Sequence, residues 1–174
     1  ASHTGAMAGM DEAYDAAFRR AGIIRVGTVR QLFDCAEALG KAQRPVDRGL
    51  GIVTNAGGPG VMTTDELNRQ GIETPLLKAE TRRKLAKMLP PGAGVNNPVD
   101  FLPTRTPEQV AQTLAIIAED EADALDYILL QLGDPGFTDN WPVYQVVIEA
   151  MDSLPLPIFP SFASSISSAG ALAK

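Results

Sequence analysis

The stretch Leu50-Gly51-Ile52-Val53-Thr54-Asn55-Ala56-Gly57-Gly58-Pro59-Gly60 decides how the chain folds. Leu50, Ile52 and Val53 form a short apolar run rich in β-branched side chains, the composition of a buried strand. Asn55 to Gly60 turns sharply, and from Val61 the pattern is helical, with Met62 and Leu67 ahead of a stop at Gly71. Strand, glycine-rich turn and helix, in that order, aim unpaired backbone N–H groups outward from a helix N-terminus. Such an end attracts phosphate or carboxylate, because its first N–H groups lack partners and the helix dipole is positive there. Gly57, Gly58 and Gly60 are therefore candidate phosphate-binding residues. Their spacing matches neither G-x-G-x-x-G nor the Walker loop, and any tight βα turn needs glycine to reverse the chain. Both readings stand on the local sequence.

Working outward from this unit, strands and helices alternate. Ile72 to Leu77 reads as a strand, held short or at a sheet edge by Pro75. Thr81 to Leu89 reads as a helix ended by Pro90-Pro91. Val99 to Leu102 follows, then a strong helix start at Thr106-Pro107-Glu108-Gln109: Thr at the cap, Pro at the first helical position, Gln three after the cap. Tyr127 to Leu132 has the length and apolarity of a buried strand, Asp139 to Met151 of a helix, and Pro157 to Ser161 of a further strand. Ala163 to Lys174 is a tail of small residues. Toward the start, Asp11 to Ala21 reads as a helix stopped by Gly22, and Ile23 to Val26 as a short strand. Thr28 to Leu39 reads as a second helix with Gln31 as capping-box partner and Gly40 as stop. Lys41 to Arg48 is polar, holds Pro45 and reads as a linker.

This alternation implies an α/β fold, a parallel sheet with helices on both faces. Ligands gather at the carboxyl ends of the strands in such sheets, which singles out three loops: Asn55 to Gly60, Asn97 to Thr104 and Gly133 to Asp139.

Composition narrows the function. The chain has 174 residues, 45% of them apolar and 21% charged, the profile of a soluble globular protein. Its net charge of −6 argues against nucleic acid as a partner. Arg82, Arg83, Lys84 and Lys87 share one short helix and read as its solvated face. A single cysteine, Cys35, excludes an internal disulfide, fits a reducing compartment such as the cytoplasm, and sits in a helical pattern as a small core hydrophobe. No run is long and apolar enough to span a membrane, and no signal peptide is visible.

His3 is the only histidine, so no second imidazole exists to share a metal, and no metal site is expected. It lies among small residues, Ala1 to Gly9. A histidine there is a surface or tag residue, or a nucleophile able to carry a covalent group. Gly133-Asp134-Pro135-Gly136-Phe137-Thr138-Asp139 lies at a strand-to-helix turn where Thr138 or Asp139 would cap the helix. Its backbone N–H groups at Gly136, Phe137 and Thr138 are candidates to meet an oxyanion, and plain capping explains the pattern equally. Asn97-Pro98-Val99-Asp100 either orients a ligand or makes an Asx-turn before a strand. Trp141 and Tyr144 read as packing residues.

Ala1-Ser2-His3-Thr4-Gly5-Ala6-Met7-Ala8-Gly9, followed by Asp11-Glu12 and Tyr14-Asp15-Ala16-Ala17-Phe18, resembles the phosphohistidine segment of the NDP-forming acyl-CoA synthetases, relatives of succinyl-CoA synthetase. Ile52 to Gly60 and Asn97-Pro98-Val99-Asp100 are similar to further signatures of that family, in the family's order. The resemblance implies a flavodoxin-like, Rossmann-like fold. It makes residues 1–40 the tail of a preceding ligase domain carrying the phosphohistidine loop, 41–48 a linker, and 49–174 the flavodoxin-like CoA-ligase domain. It implies a reaction that couples acyl-CoA, phosphate and ADP or GDP to a carboxylic acid, CoA and ATP or GTP. His3 then matches the phosphorylated histidine, flanked by helix N-termini, which neutralise phosphate charge without adding an acid. It further implies CoA-binding and ATP-grasp domains or subunits as partners, an acyl-CoA or acid as small-molecule substrate, and assembly compatible with a homo-oligomer. No cofactor is expected within these residues; CoA, ADP or ATP and Mg2+ belong to the full-length protein. No CoA-binding or ATP-grasp module is present in this sequence, so it reads as part of a larger polypeptide and as inactive alone. The same domains also occur fused to an acetyltransferase as ligand sensors, and a plain subunit-interface domain is the third alternative.

Overall fold

The computed structural model describes residues 11–41, 45–134 and 139–162. Backbone proximity divides the chain into two units, Ala1–Gln43 and Arg44–Lys174.

The first unit is helical. α1 (Asp11–Ala21) carries Asp11 and Glu12 in its first turn and Arg19 and Arg20 in its last, each matched to the helix dipole. Gly22 ends it at φ +69°. Arg25 folds back to bond the carboxylates of Asp11 and Asp15, at 2.5 and 2.6 Å. Ile23 to Val26, expected as a strand, is irregular. A strand needs a neighbour to take its backbone bonds, and none of the described residues of this unit is in a strand. α2 (Val29–Lys41) begins with the expected capping box: Gln31 N–H donates to Thr28 Oγ1 and Thr28 N–H to Gln31 Oε1, both at 3.1 Å. It continues through Gly40, the expected stop. Cys35 is half-buried there.

The second unit is a doubly wound α/β domain. Its strands are β1 (Leu50–Thr54), β2 (Val99–Asp100), β3 (Tyr127–Leu132) and β4 (Ile158–Phe162), parallel throughout and ordered β2-β1-β3-β4. The helices are α3 (Gly57–Arg69), α4 (Ala79–Met88), α5 (Pro107–Asp120) and α6 (Trp141–Ser153). α5 packs against both α4 and α6, while α3 lies on β1. The strand alternation records this: Ile128, Leu130 and Leu132 are buried, whereas Leu129 and Gln131, pointing the other way, are half-buried. Val53, Phe101, Leu114, Ile117, Leu130 and Val147 are the centre of the core.

Ile72 to Leu77, the other expected strand, is also irregular. Pro75 has no N–H to give a ladder, and the place beside β1 is taken by a side chain instead. Asn97 Oδ1 accepts Ile52 N–H at 2.8 Å, and its Nδ2 donates to Leu50 O at 2.8 Å and Pro75 O at 3.0 Å. The segment's direct backbone bond to β1 is from Leu50 N–H to Glu73 O at 2.9 Å.

Two buried carboxylates fasten the frame. Glu121, 1% exposed, accepts from Lys78 N–H at 2.7 Å and Thr81 Oγ1 at 2.6 Å, tying the start of α4 to the end of α5. Asp126, also 1% exposed, accepts from the N–H groups of Asp47 and Arg48 at 2.7 Å and from Arg48 Nε at 2.9 Å. The end of the expected linker is thus anchored to the domain. No helix among the described residues is long and apolar enough to cross a membrane.

Candidate functional site

The carboxyl ends of β1, β2 and β3 open onto three loops, and hydrogen bonds from the Asn55 side chain and the Phe101 backbone fuse them into one edge. Asn55, 3% exposed, donates Nδ2–H to Gly133 O at 2.8 Å and accepts Gly133 N–H on Oδ1 at 2.7 Å, so the loops after β1 and β3 are paired as strands would be. Phe101 N–H donates to Thr54 O at 3.0 Å, joining the loop after β2.

The glycines expected to make a loop form the first turn of α3 itself. Ala56 is the N-cap and offers no side-chain bond to the exposed N–H groups. Gly60 is needed for close approach: a Cβ there would lie 3.1 Å from Thr54 Cγ2 and 3.5 Å from Pro98 Cβ. Gly58 faces open space, with no atom within 4 Å of the Cβ it lacks. Gly57 faces Asp100, whose Oδ2 would be 3.1 Å from a Cβ at that position. One carboxylate therefore already shares the positive end of this helix, and its charge opposes a second anion. Asp100 is held there because its Oδ1 accepts Leu102 N–H at 2.9 Å, and Leu102 adopts φ +67°. A leucine in the left-handed region stores strain that the surrounding bonds must hold.

Of the Asn97-Pro98-Val99-Asp100 motif, Asn97 is spent on the backbone of β1 and Val99 on the core, at 1% exposure. Asp100 alone reaches the edge. Its local bond to Leu102 N–H is the Asx-type turn that the sequence offered as the plainer alternative.

At the third loop, Asp139 Oδ1 accepts Trp141 N–H at 2.9 Å, but the N-cap of α6 is Asn140 rather than the expected Thr138 or Asp139, and it makes no side-chain cap bond. α6 begins at Trp141, two residues after the expected start. Tyr144 packs edge-on against Phe162, ring centroids 4.6 Å apart, and Trp141 lies against the core. His3, Gly136, Phe137 and Thr138 lie outside the described residues.

The sequence did not single out Arg105. The loop that the sequence marks out after β2, Asn97 to Thr104, ends one residue short of it. Arg105 is 8% exposed; its Nη1 donates to Pro103 O at 3.0 Å and its Nη2 to Asn140 Oδ1 at 2.8 Å. Burial pushes its pKa below the ordinary guanidinium value, opposed by the nearby charge of Asp134. The available signal was its position, a cation between a strand's carboxyl end and a helix cap. Among the described residues no three His, Cys, Asp or Glu side chains gather in a metal-holding group.

Residues 1–39 match the family model of the succinyl-CoA ligase like flavodoxin domain. Over 120 residues the chain is 43% identical to acetate–CoA ligase [ADP-forming] I of Archaeoglobus fulgidus, covering 69% of this chain and 17% of that protein. It is 37% identical over 122 residues to the alpha subunit of acetate–CoA ligase [ADP-forming] II of Pyrococcus furiosus, covering 69% of this chain and 26% of the relative. The chain is related to the ADP-forming CoA ligases. It spans about a fifth of the length of these ligases. The fold agrees: the dinucleotide forming acetyl-coenzyme A synthetase 1 of Ca. Korarchaeum cryptofilum superimposes with a TM-score of 0.83 at 24% identity, covering 98% of this chain and 37% of that one. A flavodoxin-like parallel sheet is thus shared with these ligases.

Proposed function

We propose that the chain is the segment of an NDP-forming acyl-CoA ligase that bears the phosphohistidine and the domain beside it. The observation that carries this is the 43% identity to an ADP-forming acetate–CoA ligase, sustained over 120 residues. In the complete protein, phosphate attacks the thioester carbon of acyl-CoA, the C–S bond breaks, and CoA leaves as the thiol. The imidazole of His3 then attacks the phosphorus of the acyl phosphate and releases the carboxylate. A terminal oxygen of ADP or GDP takes the phosphoryl group in turn, giving ATP or GTP and free His3. Phosphoryl transfer depends mainly on positioning and charge, which is the role assigned to the N–H groups at Gly57 and Gly58 and at Gly136, Phe137 and Thr138; the N–H of Gly60, expected to join them, is given to Ala56 O at 3.4 Å inside the helix. CoA, the nucleotide and its Mg2+ are assigned to CoA-binding and ATP-grasp partners, in a cytoplasmic enzyme. Within this scheme residues 1–40 close the phosphohistidine domain, 41–48 link, and 49–174 form the adjoining ligase domain.

The test uses the complete parent protein with acetyl-CoA, ADP and radiolabelled phosphate. Acid-labile label at His3, and loss of both label and ATP formation in His3→Ala, are expected. ATP formation unchanged in His3→Ala would overturn the proposal.

A further inference from the structure

Gln131 holds an acceptor that nothing in the fold uses. It lies near the carboxyl end of β3, on the face of the sheet that carries α3. Its Nε2 donates to Thr63 Oγ1 at 2.6 Å and so ties β3 to α3. Its Oε1 is buried and has no hydrogen-bond partner among the described residues. Thr63 has given one lone pair to this bond, and its own O–H finds no acceptor among the described residues. Buried acceptors without a donor are uncommon, because each has given up its bonds to water. Here an idle acceptor and an idle donor sit on two side chains already bonded to one another.

The neighbours define which group fits. In register beside Gln131 are Thr54 on β1 and Ser161 on β4. Thr54 Oγ1 is committed twice, donating to Ala56 O at 3.1 Å and accepting Ala56 N–H at 3.0 Å. Ser161 is exposed, so the β4 side is the open one. Among the described residues no charged side chain bonds Gln131 or Thr63. The pair therefore offers a phosphate or carboxylate no countercharge. What it matches is an alcohol, which has one hydrogen to give and lone pairs to receive. The alcohol O–H donates to Gln131 Oε1, and its oxygen accepts from the Thr63 hydroxyl. Turning the carboxamide over exchanges the two roles and leaves the same complement: Nε2 becomes the free donor and Thr63 Oγ1 the free acceptor.

We propose that Gln131 and Thr63 read a hydroxyl group on the acyl chain of the ligand, so that the substrate class is a hydroxy acid and its CoA thioester. The acyl part of this assignment rests on the ligase reading above; the two hydrogen-bonding groups belong to this chain. Ligands gather at the carboxyl ends of the strands in such a sheet, which is where Gln131 stands. A substrate without the hydroxyl leaves both polar groups unpaired, and discrimination of this kind is steep.

The experiment gives the complete parent protein butyryl-CoA and the isomeric hydroxybutyryl-CoA esters, each with ADP and phosphate, and compares kcat/KM for ATP formation. One hydroxybutyryl-CoA is expected to exceed butyryl-CoA by about tenfold or more. That ratio is expected to fall toward unity in Gln131→Leu and in Thr63→Val. Butyryl-CoA turned over as well as every hydroxy isomer, the behaviour of a site that holds only water, would overturn the proposal. A preference that survives both substitutions would do the same. A second readout separates this proposal from the ligase reading: the Gln131 side-chain NH2 resonances of the 174-residue chain, followed by NMR during titration with sodium butyrate and with each sodium hydroxybutyrate. Saturable movement with a hydroxybutyrate and not with butyrate is expected, whether or not the parent makes ATP. Resonances that ignore every hydroxybutyrate, or that answer butyrate equally, overturn the proposal even if neither variant folds. A parent that makes no ATP from any of these thioesters strikes the ligase reading, and the resonances then decide this one.

Discussion

Asp126 keeps its charge while almost fully buried. Burial alone would raise its pKa, but the N–H groups of Arg48 and Asp47 and the Arg48 guanidinium outweigh it and hold the carboxyl well below the usual range. A folded-state value below the unfolded one means that its stabilisation is complete above the unfolded pKa, about 3.9. It is lost as pH falls through the folded value. Asp126→Ala should therefore cost about 3 kcal/mol in urea unfolding at neutral pH, with a smaller difference from the unaltered chain in strong acid. The glycines of α3 separate stability from ligand access. Gly58→Ala meets no neighbour and should stabilise by about 0.5–1 kcal/mol, yet slow ATP formation by the parent if bare backbone must meet phosphate there. Gly60→Val presses on Thr54 and should destabilise by about 1–3 kcal/mol. At this scale the sequence was readable where chemistry is local, as in the reciprocal bonds of Thr28 and Gln31 at the start of α2. Arg105 and Asn140 lie 35 positions apart, so their pairing became visible only with the fold.

Among the elements, α5 is the best specified. Thr106 Oγ1 accepts Gln109 N–H, Gln109 Oε1 accepts Thr106 N–H, and Pro107 occupies the first turn. Thr106→Ala should cost about 1 kcal/mol, read as a lower denaturant midpoint with unchanged slope. The helices were legible because caps, stops and apolar spacing act within one turn. The short strands were less so, since a strand is defined by its neighbour. Ile23 to Val26 and Ile72 to Leu77 have strand composition, but neither forms a strand in this structure. β2 keeps only Val99 and Asp100 because Asp100 N–H and C=O turn to pair with Gly94.

For the molecule as a whole, the parallel order of the sheet followed from strand–helix alternation, and its identity with a ligase fold from three separated motifs. The hydrophobic core belongs to the second unit, whereas α1 buries no residue. Residues 44–174 expressed alone should unfold in one cooperative transition by calorimetry, and residues 1–43 alone should show none. One flank of the sheet is closed by a side chain. On the outer side of β1, two-residue β2 reaches only Val53 and Thr54, and the carboxamide of Asn97 answers the rest. An amide plugged into that flank denies foreign polypeptide a docking rail. Along this flank of β1 a second copy therefore finds no free row of backbone groups to pair with, because Asn97 and Glu73 already hold them.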